Sequence, residues 1–206
     1  MTIAEDLIHL LQNSASQSQL QVLAKAQEIA SKQNVHLHIV GGVIRDLLMN
    51  RPLNDLDLAV EGDTIEFSNM LATSLHGEVI MRSQFETCKV NALGVIVDIA
   101  MTLNEIYPFP GALPTVARSE IAEDLLRRDF TINAISLRLV PNPILMLDPN
   151  QGQSDINQGL VRILHQESFN DDPTRILRAI RYEQRLGFRL APKTEDLLKH
   201  ALTHLA

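Results

Sequence analysis

A chain of 206 residues, 45% of them hydrophobic, is long enough to bury a real core in one domain of ordinary size with a smaller one attached. Its apolar runs are strand-sized, and Glu5 and Asp6 stand where a signal peptide would carry a basic segment, which points to a cytoplasmic protein with no membrane span. The single cysteine, Cys88, excludes an internal disulfide or a thiolate cluster, and a net charge of −7 suits a polyanion-binding protein only if its arginines gather locally, as they do at 127 and 128 and at 175, 178, 181 and 185.

Residues 2–31 are rich in Leu, Ala and Gln, place Ile3, Leu7, Leu10 and Leu11 at helical spacing and hold no glycine or proline, which predicts a helical lead-in. Residues 36–40 then read as a strand ended by Gly41-Gly42, residues 43–50 as a helix and 56–60 as a second strand. A helix is predicted over 65–75. Residues 88–100 hold two β-rich runs around an Asn91-Ala92-Leu93-Gly94 turn, 108–114 form a proline-rich loop, and 134–140 are a strand closed by Pro141-Asn142-Pro143. Beyond Asp148 the β pattern fades, and from Ser168 the chain is mainly helical, with Asp171-Asp172-Pro173 as a start signal. The chain therefore divides near 147, into an α/β part over 1–147 and a helical part over 148–206.

Several groups of residues carry chemistry. Asp55-Leu56-Asp57 puts two carboxylates at i and i+2 as a strand begins, on one face of a sheet, where they can share Mg²⁺ with substrate phosphates; alone, the pattern is also that of a polar turn. Gly41-Gly42 after a strand lets backbone approach a triphosphate, and Arg45 can add a charge-assisted contact, although a plain glycine turn reads the same way. Asp98, inside an apolar run, needs either a metal beside the other two aspartates or a salt bridge. His36 and His38 have ligand spacing but no further ligand near them in sequence, and read as ordinary strand residues, with Cys88 as buried filler. Residues 127–133 are either a solvated turn or a bridge with Arg128 on phosphate and Asn133 near a sugar. Asp172, Arg175, Arg178 and Arg181 form a polar stripe opposite Ile176, Leu177 and Ile180; such a stripe is either solvated or able to match the edge of a base.

In order and spacing these motifs resemble the class II tRNA nucleotidyltransferase (CCA-adding) and bacterial poly(A) polymerase family over most of residues 36–189. Gly41-Gly42-Val43-Ile44-Arg45-Asp46-Leu47-Leu48 with Asp55-Leu56-Asp57 looks like its phosphate and metal motif, and Glu123 through Arg127-Arg128-Asp129-Phe130-Thr131-Ile132-Asn133-Ala134 like its ribose motif. Asp148-Pro149 through Gly152, with 155–162, resembles its hinge, and Asp171-Asp172-Pro173-Thr174-Arg175 with Arg178 and Arg181 resembles the neck motif that recognises ATP or CTP. The resemblance implies an α/β (α+β) nucleotidyltransferase head with a small mixed sheet followed by an all-α neck. It further implies Mg²⁺ on Asp55 and Asp57, nucleotide contacts from Gly42, Arg45 and Arg128, a base-reading group of Asp172, Arg175, Arg178 and Arg181, and a tRNA or other RNA 3′ end as acceptor. The activity implied is addition of CCA, or part of it, with release of pyrophosphate. A poly(A) polymerase, or a nucleotide-binding head without catalysis, is the alternative. Two positions depart from the pattern: Asp171 stands where the family usually has glutamate, and Leu103 where an arginine commonly follows the Asp98 strand. The family's helical body and tail have no counterpart here, so weak tRNA binding is expected.

Overall fold

Capping decides how the computed structural model, which describes residues 2–83 and 87–204, begins. The lead-in is two helices and not one: α1 (Ile3–Ser14) and α2 (Gln17–Gln33). Each starts in a capping box, Thr2 with Glu5 and Ser16 with Gln19, in which cap side chain and N3 side chain satisfy each other's backbone amides. Ser16 so placed leaves Ala15 extended at φ −83, ψ 144, and the helix restarts in a new direction.

The chain continues through β1 (His36–Val40), α3 (Gly42–Leu48), β2 (Leu56–Glu61), α4 (Thr64–Ser74), β3 (Glu78–Arg82), β4 (Thr87–Ala92) and β5 (Val95–Met101). A hairpin of β6 (Leu103–Ile106) and β7 (Thr115–Arg118) carries the predicted proline loop at its tip. Then come α5 (Ile121–Leu126), a 3₁₀ turn at Thr131–Asn133, β8 (Ser136–Val140), β9 (Leu145–Leu147), α6 (Gly152–Gln158), β10 (Leu160–Val161), α7 (Ser168–Asp171), α8 (Thr174–Leu186), β11 (Arg189–Leu190) and α9 (Pro192–His204).

The main sheet has seven strands in the order β3-β4-β5-β2-β1-β8-β9. It is mixed, because β2 and β5 run parallel while the other pairs are antiparallel. Strand alternation gives it two unlike faces. Leu37, Ile39, Leu58, Val60, Val97 and Ile99 point into the principal core with Val22, Ile29, Phe67 and Leu71 from α2 and α4. Val40 and Ala59 point the other way, against Ile121 and Leu125 of α5, and Asp57 and His38 share that side. The sheet ends at Leu147, yet one buried cluster joins Ile156, Val161, Phe169 and Ile176 to it across that point. On α8 the expected apolar face is narrower than its composition implies. Ile176 and Ala179 are buried, whereas Leu177 and Ile180 are 70% and 44% exposed, because the underlying core is met by every third or fourth residue only. Among the described residues no helix is long and apolar enough to cross a membrane.

Candidate active site

Asp57 lies in β2 directly beside Asp98 of the parallel strand β5. Asp55 precedes the strand and is exposed. Burial pushes the Asp57 carboxyl up to about 6, helped by the negative charges of Asp98 and Asp55, with Arg128 and Lys89 opposing the rise. Asp98 adjoins Asp57, and it makes the expected salt bridge: its oxygen Oδ1 lies 2.6 Å from Lys89 Nζ. Its side chain is 37% exposed, so it is not the deeply buried carboxylate that the apolar run suggested; the run continues on the other face of the strand. Asp55, Asp57 and Asp98 do not close into a three-carboxylate cage, since among the described residues only His36, His38 and Glu61 bring three such ligand atoms within 4.8 Å of one another. A mutually repelling carboxylate group with room for other oxygens fits a hard divalent cation, which relieves the repulsion and keeps positions for phosphate oxygens.

The glycine turn is held by its own strain and by an arginine. Gly41 sits at φ 64, ψ −122, a conformation that a Cβ would oppose, and a Cβ there would stand 2.9 Å from Arg128 NH1. Arg128 is fixed from the other side by Asp124, whose Oδ2 accepts from Arg128 Nε at 3.1 Å and NH2 at 2.7 Å. The second oxygen of Asp124 accepts from Arg127 at 2.9 and 2.7 Å and from the Leu103 amide at 3.1 Å. Burial drives the Asp124 carboxyl upward, but Arg128 and Arg127 outweigh it and hold the group below the usual carboxylate range. Leu103 itself is buried, and its carbonyl accepts from Arg127 Nε at 3.1 Å, so that position contributes backbone to the network.

A continuous chain of polar contacts then crosses from α3 to α8. Arg45, 3% exposed, forms a two-pronged pair with Asp46 and donates through NH1 to Asn133 Oδ1 at 2.6 Å. Asn133 Nδ2 donates to Asp129 Oδ1 at 2.9 Å, and Asp129 Oδ2 accepts from Arg178 Nε at 2.8 Å and from its NH2. The Tyr182 ring lies between the two arginines, 5.3 Å from Arg45 Cζ and 5.6 Å from Arg178 Cζ, and meets Phe130 edge-on. Arg175 is buried, donating to Ser168 Oγ at 2.7 Å and to the Arg127 carbonyl at 2.9 Å. Asp172 Oδ1 accepts the Thr174 amide and hydroxyl at 2.9 and 2.6 Å.

These parts line one cleft of about 550 Å³, to which Gly41, Gly42, Asp55 and Asp57 contribute together with Asp172, Arg178, Tyr182 and Arg185. Of the residues singled out from sequence, Asp55, Asp57, Gly42, Arg45, Arg128, Asn133, Asp172, Arg175 and Arg178 line it. Asp98 and Arg181 lie outside its lining.

Residues 37–162 match the model of the poly A polymerase head domain. The chain belongs to that family. It is 42% identical over 196 residues to the A-adding tRNA nucleotidyltransferase of Halalkalibacterium halodurans, a match covering 94% of this chain and 46% of that protein. The CC-adding tRNA nucleotidyltransferase of the same organism is 31% identical over 189 residues, covering 90% of this chain and 45% of that one. Among solved structures, a CCA-adding enzyme in an apo form superposes with a TM-score of 0.89 at 38% identity, over 97% of this chain and 47% of the other. The chain thus spans about half the length of these relatives. Enzymes of the poly A polymerase head family normally depend on a divalent metal.

Sequence reasoning passed over several residues that the cleft depends on. Asp124 shows only as the i, i+3 and i+4 spacing of an acid before Arg127 and Arg128, a signal that could have been read. Asp46, which pairs with its neighbour Arg45, gave none beyond its place in the motif, and Asp129 and Tyr182 gave none because the partners that matter, Arg178 for the one and Arg45 and Phe130 for the other, come from other elements. Nor are His36 and His38 without a further ligand: the antiparallel register of β1 and β2 sets His36 opposite Glu61.

Proposed function

We propose that this chain is the catalytic and nucleotide-reading part of a template-independent RNA nucleotidyltransferase, with the head over 1–147 and the neck from 148. The observation that carries this reading is the sharing of one cleft by the Asp55–Asp57 pair and the Asp172–Arg178 stripe, joined through Arg45, Asn133 and Asp129. The RNA 3′-hydroxyl oxygen attacks the nucleotide α-phosphorus, the new phosphodiester bond forms, the bond to the β-phosphate oxygen breaks, and pyrophosphate leaves with the hydroxyl proton passing to solvent. Asp55 and Asp57 would hold Mg²⁺, which lowers the barrier by neutralising charge on the attacking and leaving oxygens. Arg128 and the Gly41-Gly42 turn face the triphosphate, Arg45 orients Asn133 toward the sugar, and Asp172 with Arg178 reads the base while buried Arg175 fixes the helix that carries them.

The acceptor we infer is a tRNA 3′ end in the cytoplasm, and the nucleotide ATP: in one organism the A-adding relative shares 42% identity with this chain and the CC-adding relative 31%. The test is to incubate the chain with Mg²⁺, each labelled nucleoside triphosphate in turn, and tRNAs ending before, within or just short of CCA, then size the products. One A added to a tRNA ending in CC is the expected product. Long runs of A would favour the poly(A) polymerase reading, and nucleotide binding without incorporation would make the chain a binding module.

A further inference from the structure

At the far end of β1 and β2 from the cleft, two imidazoles and a carboxylate meet on the same sheet face as Asp57. His36 Nδ1 lies 2.8 Å from Glu61 Oε2 and His38 Nε2 lies 3.3 Å from Glu61 Oε1, and the ligand atoms of all three fall within 4.8 Å of one another. His38 is fully buried; its Nε2 stops 3.3 Å from Glu61 Oε1 without completing a hydrogen bond, and its Nδ1 has no partner. Glu61 Oε1 is already taken by the Ile121 amide at 3.0 Å. A buried imidazole left in this state is costly unless something else satisfies it.

We propose that His36, His38 and Glu61 form a binding site for a borderline divalent cation of the Zn²⁺, Co²⁺ or Ni²⁺ class, distinct from the Asp55–Asp57 pair. Two imidazoles with one carboxylate suit these ions, whereas Mg²⁺ prefers an all-oxygen shell. Ligands at about 2.0–2.1 Å from a tetrahedral Zn²⁺ stand roughly 3.3 Å apart, and the three ligand atoms here already lie within 4.8 Å of one another, so they need close by no more than side-chain adjustment. His36 is half-exposed, which leaves a fourth position open to water. The nearest cation by register is Arg138 of β8, opposite His38; its NH2 donates to the Pro143 carbonyl at 3.2 Å. Glu61 is four residues beyond Asp57 on β2, about 13 Å at roughly 3.3 Å per residue, too far for one ion to serve both places. An ion here would clamp β1 to β2, the strands that lead into Gly41 and out of Asp57.

The inference does not depend on the proposed reaction. Metal-free, tag-free chain in excess Mg²⁺ is titrated with Zn²⁺ by calorimetry and with Co²⁺ by visible absorption. One ion per chain is expected, with the intense absorption of four-coordinate Co²⁺ and a raised melting temperature. His36→Ala, or His36→Gln if the alanine variant folds poorly, should weaken binding at least about tenfold, since even losing an outer-shell partner costs about that much. Glu61→Gln should do the same, while the Asp55→Asn/Asp57→Asn double variant should bind as before. Absence of saturable Zn²⁺ or Co²⁺ binding would overturn the proposal, as would binding that survives both His36 variants or disappears in the double aspartate variant.

Discussion

Asp57 carries an electrostatic cost that its burial beside Asp98 and Asp55 explains. Its folded proton affinity is raised from 3.8 to about 6, so the folded state binds that proton more tightly than the unfolded chain does. The contribution to stability is therefore complete below 3.8 and is lost as pH climbs through about 6. In metal-free buffer Asp57→Asn should melt at a higher temperature than the parent at pH 7, and the gap should close below about pH 4. A melting series across that range checks it, and added Mg²⁺ should narrow the pH 7 gap by stabilising the parent alone. The same substitution should reduce nucleotide addition by about 10² to 10³ or more. Gly41 is a second such residue. Gly41→Ala must adopt φ 64, ψ −122 and displace Arg128 NH1, so a loss of more than about 1 kcal/mol in denaturant titration and weaker ATP binding are expected together.

Elements matter here through what they aim at one another. Helix α8 turns Arg178 and Tyr182 toward the 3₁₀ turn at Thr131–Asn133 and toward α3, and its polar link to that turn runs through Asp129. A double-mutant cycle on Arg178→Ala and Asp129→Asn should give a coupling of about 0.5–3 kcal/mol in unfolding free energy. In the addition assay Arg178→Ala should change the ratio of kcat/KM values among the four nucleotides more than it changes their common affinity. Equal losses for all four, with selectivity preserved, would make the stripe on α8 purely structural. Helix α5 works in the same manner: with Asp124 it holds Arg127 and Arg128 at the edge of the cleft, and Glu105 of the β6–β7 hairpin takes the other end of Arg127.

Across the whole molecule the acidic balance of −7 understates how few cations remain for RNA. Arg45, Arg127, Arg128, Arg162 and Arg178 are each paired with a carboxylate of the chain itself. ATP is small and would meet a cleft already lined with arginine, so the expected outcome is binding in the presence of Mg²⁺ without RNA. Affinity for tRNA depends on many phosphate contacts that release counterions. The 206-residue chain should therefore bind tRNA weakly at physiological salt and more tightly at low salt, as a titration at two salt concentrations would show. Tight binding at both would mean that surfaces beyond the cleft supply the contacts.

Local pattern was enough for much of this molecule. Alternation and helical spacing located β1, β2, β4, β5, β8, α3, α4 and α8, because these signals lie within a few residues of each other, and nine of the eleven residues chosen from the motifs line one cleft. The split between α1 and α2 was also written locally, in Ser16 and Gln19, although composition masked it. Strand β3 was not legible: its Ile80 and Met81 are exposed at a sheet edge, where no buried face imposes alternation. Tertiary structure alone decided the rest. Arg45 reaches Asn133 across 88 positions and Arg178 reaches Asp129 across 49, while Glu61 joins His36 only through strand register. Pattern reports which face a side chain takes along its own element; which partner waits there is set by how separate elements pack, and that depends on the burial of the whole chain at once.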